Sequence, residues 1–573
     1  MKEKRHLHIP WEKLLLISFF ILSFFLMTHT FGYDTGTHEI RMASRVWSDF
    51  GAHIPMVRSF SLGSNWPPEY PIFPGEKIKY HFLFYLIAGL LERSGMRIDW
   101  AMNIPSIVGF FLLLVTIYKL ATLLFGRKSV GVLSVLFFLF NGSFSFLKFF
   151  EKHPFGLSTV RDIVTNNQFS TFGPWDGNLV TAFAHLNIYT NQRHLGLSFG
   201  IVLLIIYTLL HFDTIVQKLL HRSNNKHILS SVYCLLATSV GLLAGSLFFL
   251  NHPALLITVI FCTYLFLFHK GTRLPLLITL ITTLPFLWYF FQIAEPGGTP
   301  TWEIGYLSHK PFEWNTFVQF WVHNLGLHFF LIPLGFLVAP KKIRFLFLPL
   351  VVLFVLPNIY RFSVDMINNH KFFNFVTIIG GMYTANLLVT SRIFITKRIK
   401  RIKITAISKI LLLSVYCLLS TVFFFLIFSG VIDFAPIVND YYLNLTDIPA
   451  NKDVTFIAEN TPPDSIFLNS TWFYHPASIA GRKIYNGYSF FTWSAGYKTY
   501  EREAVTKEMY RSEDRYRICQ LLSEEHISFV ELNKAPEDFL KPIASIWGTF
   551  LPIYNNPESG IRIFEVSKIC EGL

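Results

Sequence analysis

About eleven apolar segments, most of them long enough to cross the ~30 Å core of a bilayer as helices, constrain the fold of this chain. Only 15% of the residues are charged and 52% are hydrophobic, which is typical of a polytopic membrane protein. The sequence therefore predicts an α-helical polytopic membrane protein. Hydropathy places the spanning helices at 14–31, 101–124, 129–147, 195–212, 228–249, 252–268, 274–291, 314–338, 344–360, 372–390 and 408–430.

The basic residues predict the orientation of these helices. The segments on the side of the N-terminus hold about twenty Lys and Arg in about sixty residues, against about fourteen in about 150 on the other side. We therefore expect a cytoplasmic N-terminus, an extracytoplasmic region after residue 430, and a location in a plasma or inner membrane. The net charge of +13 follows from this positive-inside pattern, so membrane lipids are expected as partners and nucleic acid is not.

The composition becomes that of a soluble domain towards the C-terminus. We divide the chain into a transmembrane domain, 1–432, and an extracytoplasmic domain, 433–573. Strand-like runs alternate with a helix at 514–525, which predicts a small α/β domain. The strand candidates are 465–468, 483–485, 528–532, 550–554 and 561–566. Cys519 and Cys570 can form a disulfide if this domain is extracytoplasmic.

The first outer loop, 32–100, differs from the apolar remainder of the chain. It concentrates carboxylates and imidazoles among Gly, Pro and Trp, and it contains an apolar stretch at 81–97 that we interpret as an interfacial helix. Three other outer loops, 148–194, 295–314 and 361–371, add acids, amides and bases on the same predicted face. The loops form either a reaction site at the membrane surface or a set of solvated connections.

This arrangement resembles the GT-C superfamily of integral-membrane glycosyltransferases, which includes the protein O-mannosyltransferases, the aminoarabinose transferase and oligosaccharyltransferase. WSDFGAHIPMVRSF (47–60) is similar to the superfamily's Asp-containing motif, NWPPEYPIFPGEKIKYH (65–81) to its continuation, and NNHK (368–371) is a further match. The resemblance implies transfer of a sugar from a polyprenyl-phosphate donor to an extracytoplasmic lipid, glycan or protein, with inversion. Such a reaction needs a carboxylate base and a cation for the departing phosphate.

The resemblance implies Asp49 as the base, and Asp34 is the alternative. Asp49 can instead be the N-cap of a following helix. His53 can orient Asp49, join it in binding a divalent ion such as Mg or Mn, or be an ordinary interfacial histidine. Lys371, with the flanking amide of Asn369, is a candidate phosphate ligand or a snorkelling cation.

Other candidates remain open in the same way. Arg193 is a second candidate for the phosphate, or a second snorkelling cation. His81 and Tyr80 either contact substrate or pack, and Asp176 is either a second acid or part of a turn. A flippase or transporter, a polysaccharide polymerase and a membrane scaffold are alternative functions. We rank the transporter second, because the charged residues gather in outer loops and not within the spans.

Overall fold

The helices of the N-terminal region follow the predicted apolar segments. The computed structural model describes residues 10–171, 186–220, 226–401, 406–471, 473–534 and 540–572. The α-helices up to residue 438 are α1 Trp11–Thr30, α2 Trp47–Ser61, α3 Leu83–Arg93, α4 Ile98–Phe125, α5 Lys128–Leu139, α6 Ser145–Lys152, α7 Thr159–Val164, α8 Asn187–Asn191, α9 His194–Leu210, α10 Phe212–Leu220, α11 Lys226–Leu250, α12 His252–Phe268, α13 Arg273–Ile293, α14 Trp314–Leu325, α15 His328–Val338, α16 Lys341–Arg344, α17 Phe347–Ile359, α18 His370–Arg401, α19 Ala406–Phe425 and α20 Phe428–Val438.

These helices differ in their capacity to cross a bilayer. Within the described ranges, six helical stretches are long and apolar enough: Trp11–Thr30, Ile98–Phe125, His227–Leu250, Lys270–Ile293, Met366–Arg398 and Leu413–Val438. The pairs α9–α10 and α14–α15 bend by 79° and 81° and bring the number to eight if each pair is one span. The remaining three predicted spans are the shorter helices α5, α12 and α17. The predicted class, a polytopic helical membrane protein, is confirmed, whereas eleven full-length spans are not found.

The predicted span 129–147 is wrong at its end, because α5 stops at Leu139. Asn141 turns the chain by accepting a hydrogen bond from the Ser143 amide through its side-chain oxygen, at 2.9 Å. Gly326, at the bend between α14 and α15, packs directly on this turn. A Cβ atom at Gly326 would lie 1.9 Å from the Gly142 carbonyl, and its φ of +54° also favours glycine. The close contact of the turn with the bend accounts for both interruptions.

A small sheet joins the start of the loop 32–100 to the chain that follows the last membrane helix. Strands β1 (Phe31–Asp34) and β2 (Glu39–Ala43) form a hairpin, and β5 (Tyr442–Thr446) pairs antiparallel with β2. A two-stranded ribbon pairs β3 (Thr301–Trp302) with β4 (Tyr360–Arg361). The predicted domain boundary, 432/433, falls within α20.

The C-terminal domain is the predicted α/β unit. Its helices are α21 Lys452–Asn460, α22 Pro476–Ile479, α23 Ser489–Ser494, α24 Thr499–Arg511, α25 Arg515–Glu524, α26 Ala544–Trp547 and α27 Val566–Ile569. Its mixed sheet has the order β7-β6-β8-β10-β9, with β6 Ile466–Leu468, β7 Lys483–Ile484, β8 Phe529–Leu532, β9 Tyr554–Asn556 and β10 Ile561–Glu565. The fourth predicted strand begins late, at Tyr554, because Phe550 packs on Trp547 in the core. Cys519 and Cys570 form a disulfide.

Candidate active site

Helix α2 carries Asp49 in its first turn, and almost every residue after it in the helix is buried. The N-cap is Val46, so the interpretation of Asp49 as an N-cap is wrong. A carboxylate in the first turn of a helix is favoured by the helix dipole. None of the described residues forms a hydrogen bond or an ion pair with the Asp49 carboxylate, which therefore remains available to a ligand.

The surroundings of Asp49 suit it to act as a base near neutral pH. Burial raises the pKa of Asp49 to about 6, while the positive charge of Lys371 opposes this rise. The negative charge of Asp49 in turn contributes to the raised pKa of Tyr70, Tyr80 and Tyr474, after the larger effect of burial. The carboxylate therefore lies among aromatic hydroxyl groups and close to one ammonium group.

Lys371 lies in the first turn of α18 and is only 8% exposed. Its Nζ atom donates one hydrogen bond, 3.3 Å long, to the side-chain oxygen of Asn368. No carboxylate in the described parts of the chain comes within 4 Å of this ammonium group. Burial raises the pKa of the nearby Asp365, and the hydrogen bond from the Ile367 amide and the charge of Lys371 oppose the rise. The ammonium group thus keeps donors for an anionic ligand.

Asn369, predicted as a ligand of the donor phosphate, has its side-chain amide bonded to the backbone in this structure. The Asn369 Nδ2 atom donates to the carbonyls of Pro357 and Tyr360 at 2.9 and 2.7 Å, and its oxygen accepts from the Phe362 amide. Asn369 therefore holds the loop before α18 in shape. The preceding residue, Asn368, is the amide that contacts the cation.

Arg193 is buried, with its guanidinium group between α1 and α4. It donates to the Thr190 carbonyl, the Asn103 oxygen, the Thr30 hydroxyl, and the sulfur and the carbonyl of Met27. All five of its N–H donors therefore have partners within the protein. This network ties three helical segments together and leaves no donor free for a phosphate in this structure.

Three histidines lie against the tyrosines near Asp49. The His81 Nε2 and His194 Nδ1 atoms are 3.2 Å apart, and the His53 ring lies 4.9 Å from the Tyr85 ring. Burial lowers the pKa of His53 to about 3, and burial also lowers the pKa of His81, so both are neutral near pH 7. The rings of Tyr80 and His81 stack at 3.9 Å. His53 Nδ1 and His194 Nε2 are buried and have no hydrogen-bond partner among the described residues.

His194, Tyr85 and Asp365 were not singled out from the sequence as members of this site. Tyr85 occurs within an apolar run, where a polar residue is usually interpreted as part of the core, and His194 ends the polar run TNQRH (190–194), in which Arg193 was the residue singled out. Asp365 lies in the loop 361–371, six residues before Lys371, and this spacing of acid and base is a signal that could have identified it.

Asp34 is not part of this cluster. Asp34 ends β1, and its Oδ1 atom accepts hydrogen bonds from the amides of Gly36 and Thr37 in the hairpin turn. These bonds lower the pKa of Asp34, which makes it a weak base. Asp176 lies outside the described residues.

The divalent ion predicted at Asp49 and His53 has few candidate ligands. Among the described residues, no group of three or more His, Cys, Asp or Glu side chains is arranged to hold a metal ion. A metal ion at Asp49 and His53 would therefore need most of its ligands from substrate or water, and it stays a prediction.

A cavity runs along α18, on the side of the helix that carries His370. It is lined mainly by aromatic side chains, with amide and imidazole groups between them: Phe137, Phe138, Asn141, Tyr189, Tyr306, Phe320, Trp321, Asn324, Leu325, His328, His370, Phe373, Asn374 and Thr377. His370, Asn374 and Thr377 follow one face of α18 at helical spacing, starting next to Lys371. The cavity therefore follows a membrane helix whose first turn also carries Lys371.

No protein-family model and no curated protein matches the chain. Among solved structures, it is similar to the Archaeoglobus fulgidus oligosaccharyltransferase tethered to an acceptor peptide, with 11% identity, a TM-score of 0.45, and coverage of 91% of this chain and 69% of that one. It is also similar to AglB of the same organism, bound to an inhibitory peptide and a dolichol-phosphate, with 13% identity, a TM-score of 0.39, and coverage of 92% of this chain and 70% of that one. A third similar structure is ArnT from Cupriavidus metallidurans in the apo state, with 10% identity, a TM-score of 0.49, and coverage of 97% of this chain and 98% of that one.

All three likenesses have identities of at most 13% and TM-scores below 0.5, so they carry no argument about the superfamily or the activity of this chain. The function of this chain has to be inferred from its own site.

Proposed function

We propose that this protein is a membrane glycosyltransferase that transfers a sugar from a polyprenyl-phosphate donor to an extracytoplasmic acceptor with inversion. One observation carries the proposal: a half-buried carboxylate, Asp49, lies close enough to a buried ammonium group, Lys371, for its pKa to be lowered by that charge, and both retain free hydrogen-bonding capacity. They supply the two groups that such a displacement needs.

In the proposed reaction, an acceptor hydroxyl gives its proton to the Asp49 carboxylate as its oxygen attacks the anomeric carbon. The bond between that carbon and the phosphate oxygen breaks, and the electron pair leaves with the polyprenyl phosphate. Lys371 donates hydrogen bonds to the departing phosphate and balances its charge. Asp49 then releases the proton to water. The cavity along α18 supports binding of the lipid donor, since it follows the membrane helix whose first turn carries Lys371.

A donor with one phosphate group fits this site better than a diphosphate. Lys371 is the one cation among the described residues whose charge acts on the pKa of Asp49. Arg193, the other candidate cation, has all its donors engaged within the protein. A single ammonium group matches the charge that develops on one departing phosphate.

Two features support the extracytoplasmic placement of the site. The basic residues concentrate in the loops on the opposite side, as in the positive-inside rule. The disulfide between Cys519 and Cys570 is typical of an oxidising compartment. The sugar and the acceptor class, which is a lipid, a glycan or a protein, are for the assay to identify.

The test compares purified wild type with Asp49→Asn, using radiolabelled polyprenyl-phosphate sugars and a membrane extract as acceptor. Loss of turnover by a factor of about 10²–10⁴ is expected, since removal of a general base has effects of that size. Asp34→Asn is the matched control and should retain wild-type turnover, because Asp34 only stabilises a hairpin turn. Wild-type turnover in Asp49→Asn would refute the assigned base. If no donor is consumed by wild type, the proposal fails, and lipid translocation in liposomes becomes the next measurement.

A further inference from the structure

The C-terminal domain reaches helix α2 at the turn that carries Asp49. The Tyr474 hydroxyl donates a short hydrogen bond to the Trp47 carbonyl, and the two rings lie 4.2 Å apart. Phe473 packs against Gly51 so closely that a Cβ atom there would lie 2.5 Å from its ring. The contacts of Phe473 and Tyr474 therefore bracket Asp49, two residues before it and two residues after it.

The segment that makes these contacts is held firmly within its own domain. Ser470 donates to the Glu531 carboxylate through both its amide and its hydroxyl, at 3.1 and 2.9 Å. The His475 Nε2 atom lies 3.3 Å from the same carboxylate. Since Glu531 and His475 are at most 1% exposed, these contacts are shielded from water. The residues next to Phe473 and Tyr474 are thus anchored on one buried carboxylate.

The backbone at Tyr474 is held in an unfavourable conformation. Its φ of +49° lies in the left-handed region, which is uncommon for a residue with a bulky side chain. Such a conformation is unfavourable and persists only where the surroundings enforce it. Here it turns the phenol towards the first turn of α2.

We propose that Tyr474 is a positioning residue, which fixes the first turn of α2 and thereby the Asp49 carboxylate towards the acceptor hydroxyl. This inference rests on the proposed function for its catalytic consequence. The contact itself does not depend on that function. A displacement of a reacting group by about 1 Å can lower a rate by about a hundredfold.

Tyr474→Phe tests the proposal, because it removes the hydroxyl and keeps the ring. Tyr554→Phe is the matched control: Tyr554 is also half-buried in the same domain, and its hydroxyl donates one hydrogen bond, to Asp453 at 2.8 Å. We expect kcat of Tyr474→Phe to fall by about ten- to a hundredfold with little change in KM. Hydrogen exchange should become faster in the peptide 45–53. Tyr554→Phe should change neither quantity.

Gly51→Ala approaches the same contact from α2 and keeps the test valid if Tyr474→Phe folds poorly. It should displace Phe473, admit water to Asp49 and lower the pKa of that carboxyl, so the acid limb of the rate profile should move to lower pH. Lys371 is the charged group that acts on this pKa, and the neutral phenols that the charge of Asp49 reaches are those of Tyr70, Tyr80, Tyr85 and Tyr474.

Failure of the positioning role and failure of the proposed function give different experimental results. Unchanged kcat and unchanged exchange at 45–53 in Tyr474→Phe, relative to Tyr554→Phe, would overturn the positioning role. If wild type itself transfers no sugar, the proposed function fails, and the exchange experiment alone decides: faster exchange confined to 45–53 supports the contact, and unchanged exchange refutes it.

Discussion

Replacing Lys371 with Met separates the two effects that the structure assigns to its ammonium group. The side chain is buried, so Met retains most of the packing of the stem and removes the charge. Loss of one donor that stabilises developing negative charge lowers kcat by about 10²–10³-fold in comparable sites. The same change removes the positive charge that lowers the pKa of Asp49, so that pKa should rise above its present value of about 6.

The assay is the rate of sugar transfer by wild type, Lys371→Met and Lys371→Arg between pH 4.5 and 9. Asp49 acts as a base only when it is deprotonated, so the wild-type rate should fall below pH 6, by about tenfold for each further pH unit. In Lys371→Met the limb should lie at higher pH and the plateau should be lower. Lys371→Arg keeps the charge and should leave the limb in place.

Two results would refute this reasoning. An acid limb at the same pH in Lys371→Met and wild type would show that the two groups are not coupled. A limb that disappears in Asp365→Asn and persists in other variants would transfer the titration to Asp365, the second nearby carboxyl with a raised pKa.

Three further predictions concern the surroundings of the site. Arg193→Lys should lower the melting temperature measured by scanning fluorimetry, since a lysine cannot replace five guanidinium hydrogen bonds, and a variant with unchanged stability would contradict the structural role. Cys519→Ser should destabilise the C-terminal domain by about 2–4 kcal/mol and leave Cys570 open to alkylation; modification of both cysteines in unreduced wild type would exclude the disulfide. If a divalent ion binds at Asp49 and His53, EDTA should abolish transfer and Mg or Mn should restore it, whereas full activity in EDTA would refute the ion.

Periodicity predicted the elements of the fold and could not predict where the membrane helices break. The end of α5 depends on Asn141, which turns the chain, and on the contact of that turn with Gly326, almost two hundred residues away. Local apolar content continues to residue 147, so hydropathy alone extends the helix. The strand predicted at 550–554 was displaced in the same way, by the packing of Phe550 on Trp547.

In the site, too, the sequence predicted some residues and could not predict the contacts of others. Asp49 and Lys371 were selected from the motifs they lie in, and the structure brings them near each other across 322 residues of chain. Asn369 and Arg193 were equally plausible from the sequence, because an amide or a guanidinium group beside a helix end gives no indication of its partners. The two amides are neighbours in the chain, and the fold of the loop before α18 directs Asn368 to Lys371 and Asn369 to the backbone. Such choices depend on tertiary hydrogen bonds.

The buried charges around α2 hold the helix that carries Asp49 in one position. At the far end of the helix, Arg58 lies 3.1 Å from Glu92 of α3 and 2.6 Å from Asp447, which follows β5. Burying three charges is expensive, and an ion pair of this kind often adds little net stability compared with apolar packing. It does, however, fix the partners in one geometry. With Arg58 at one end and Tyr474 at the other, α2 is held along its length, which is what a base must have if its carboxylate is to meet the acceptor without reorganisation.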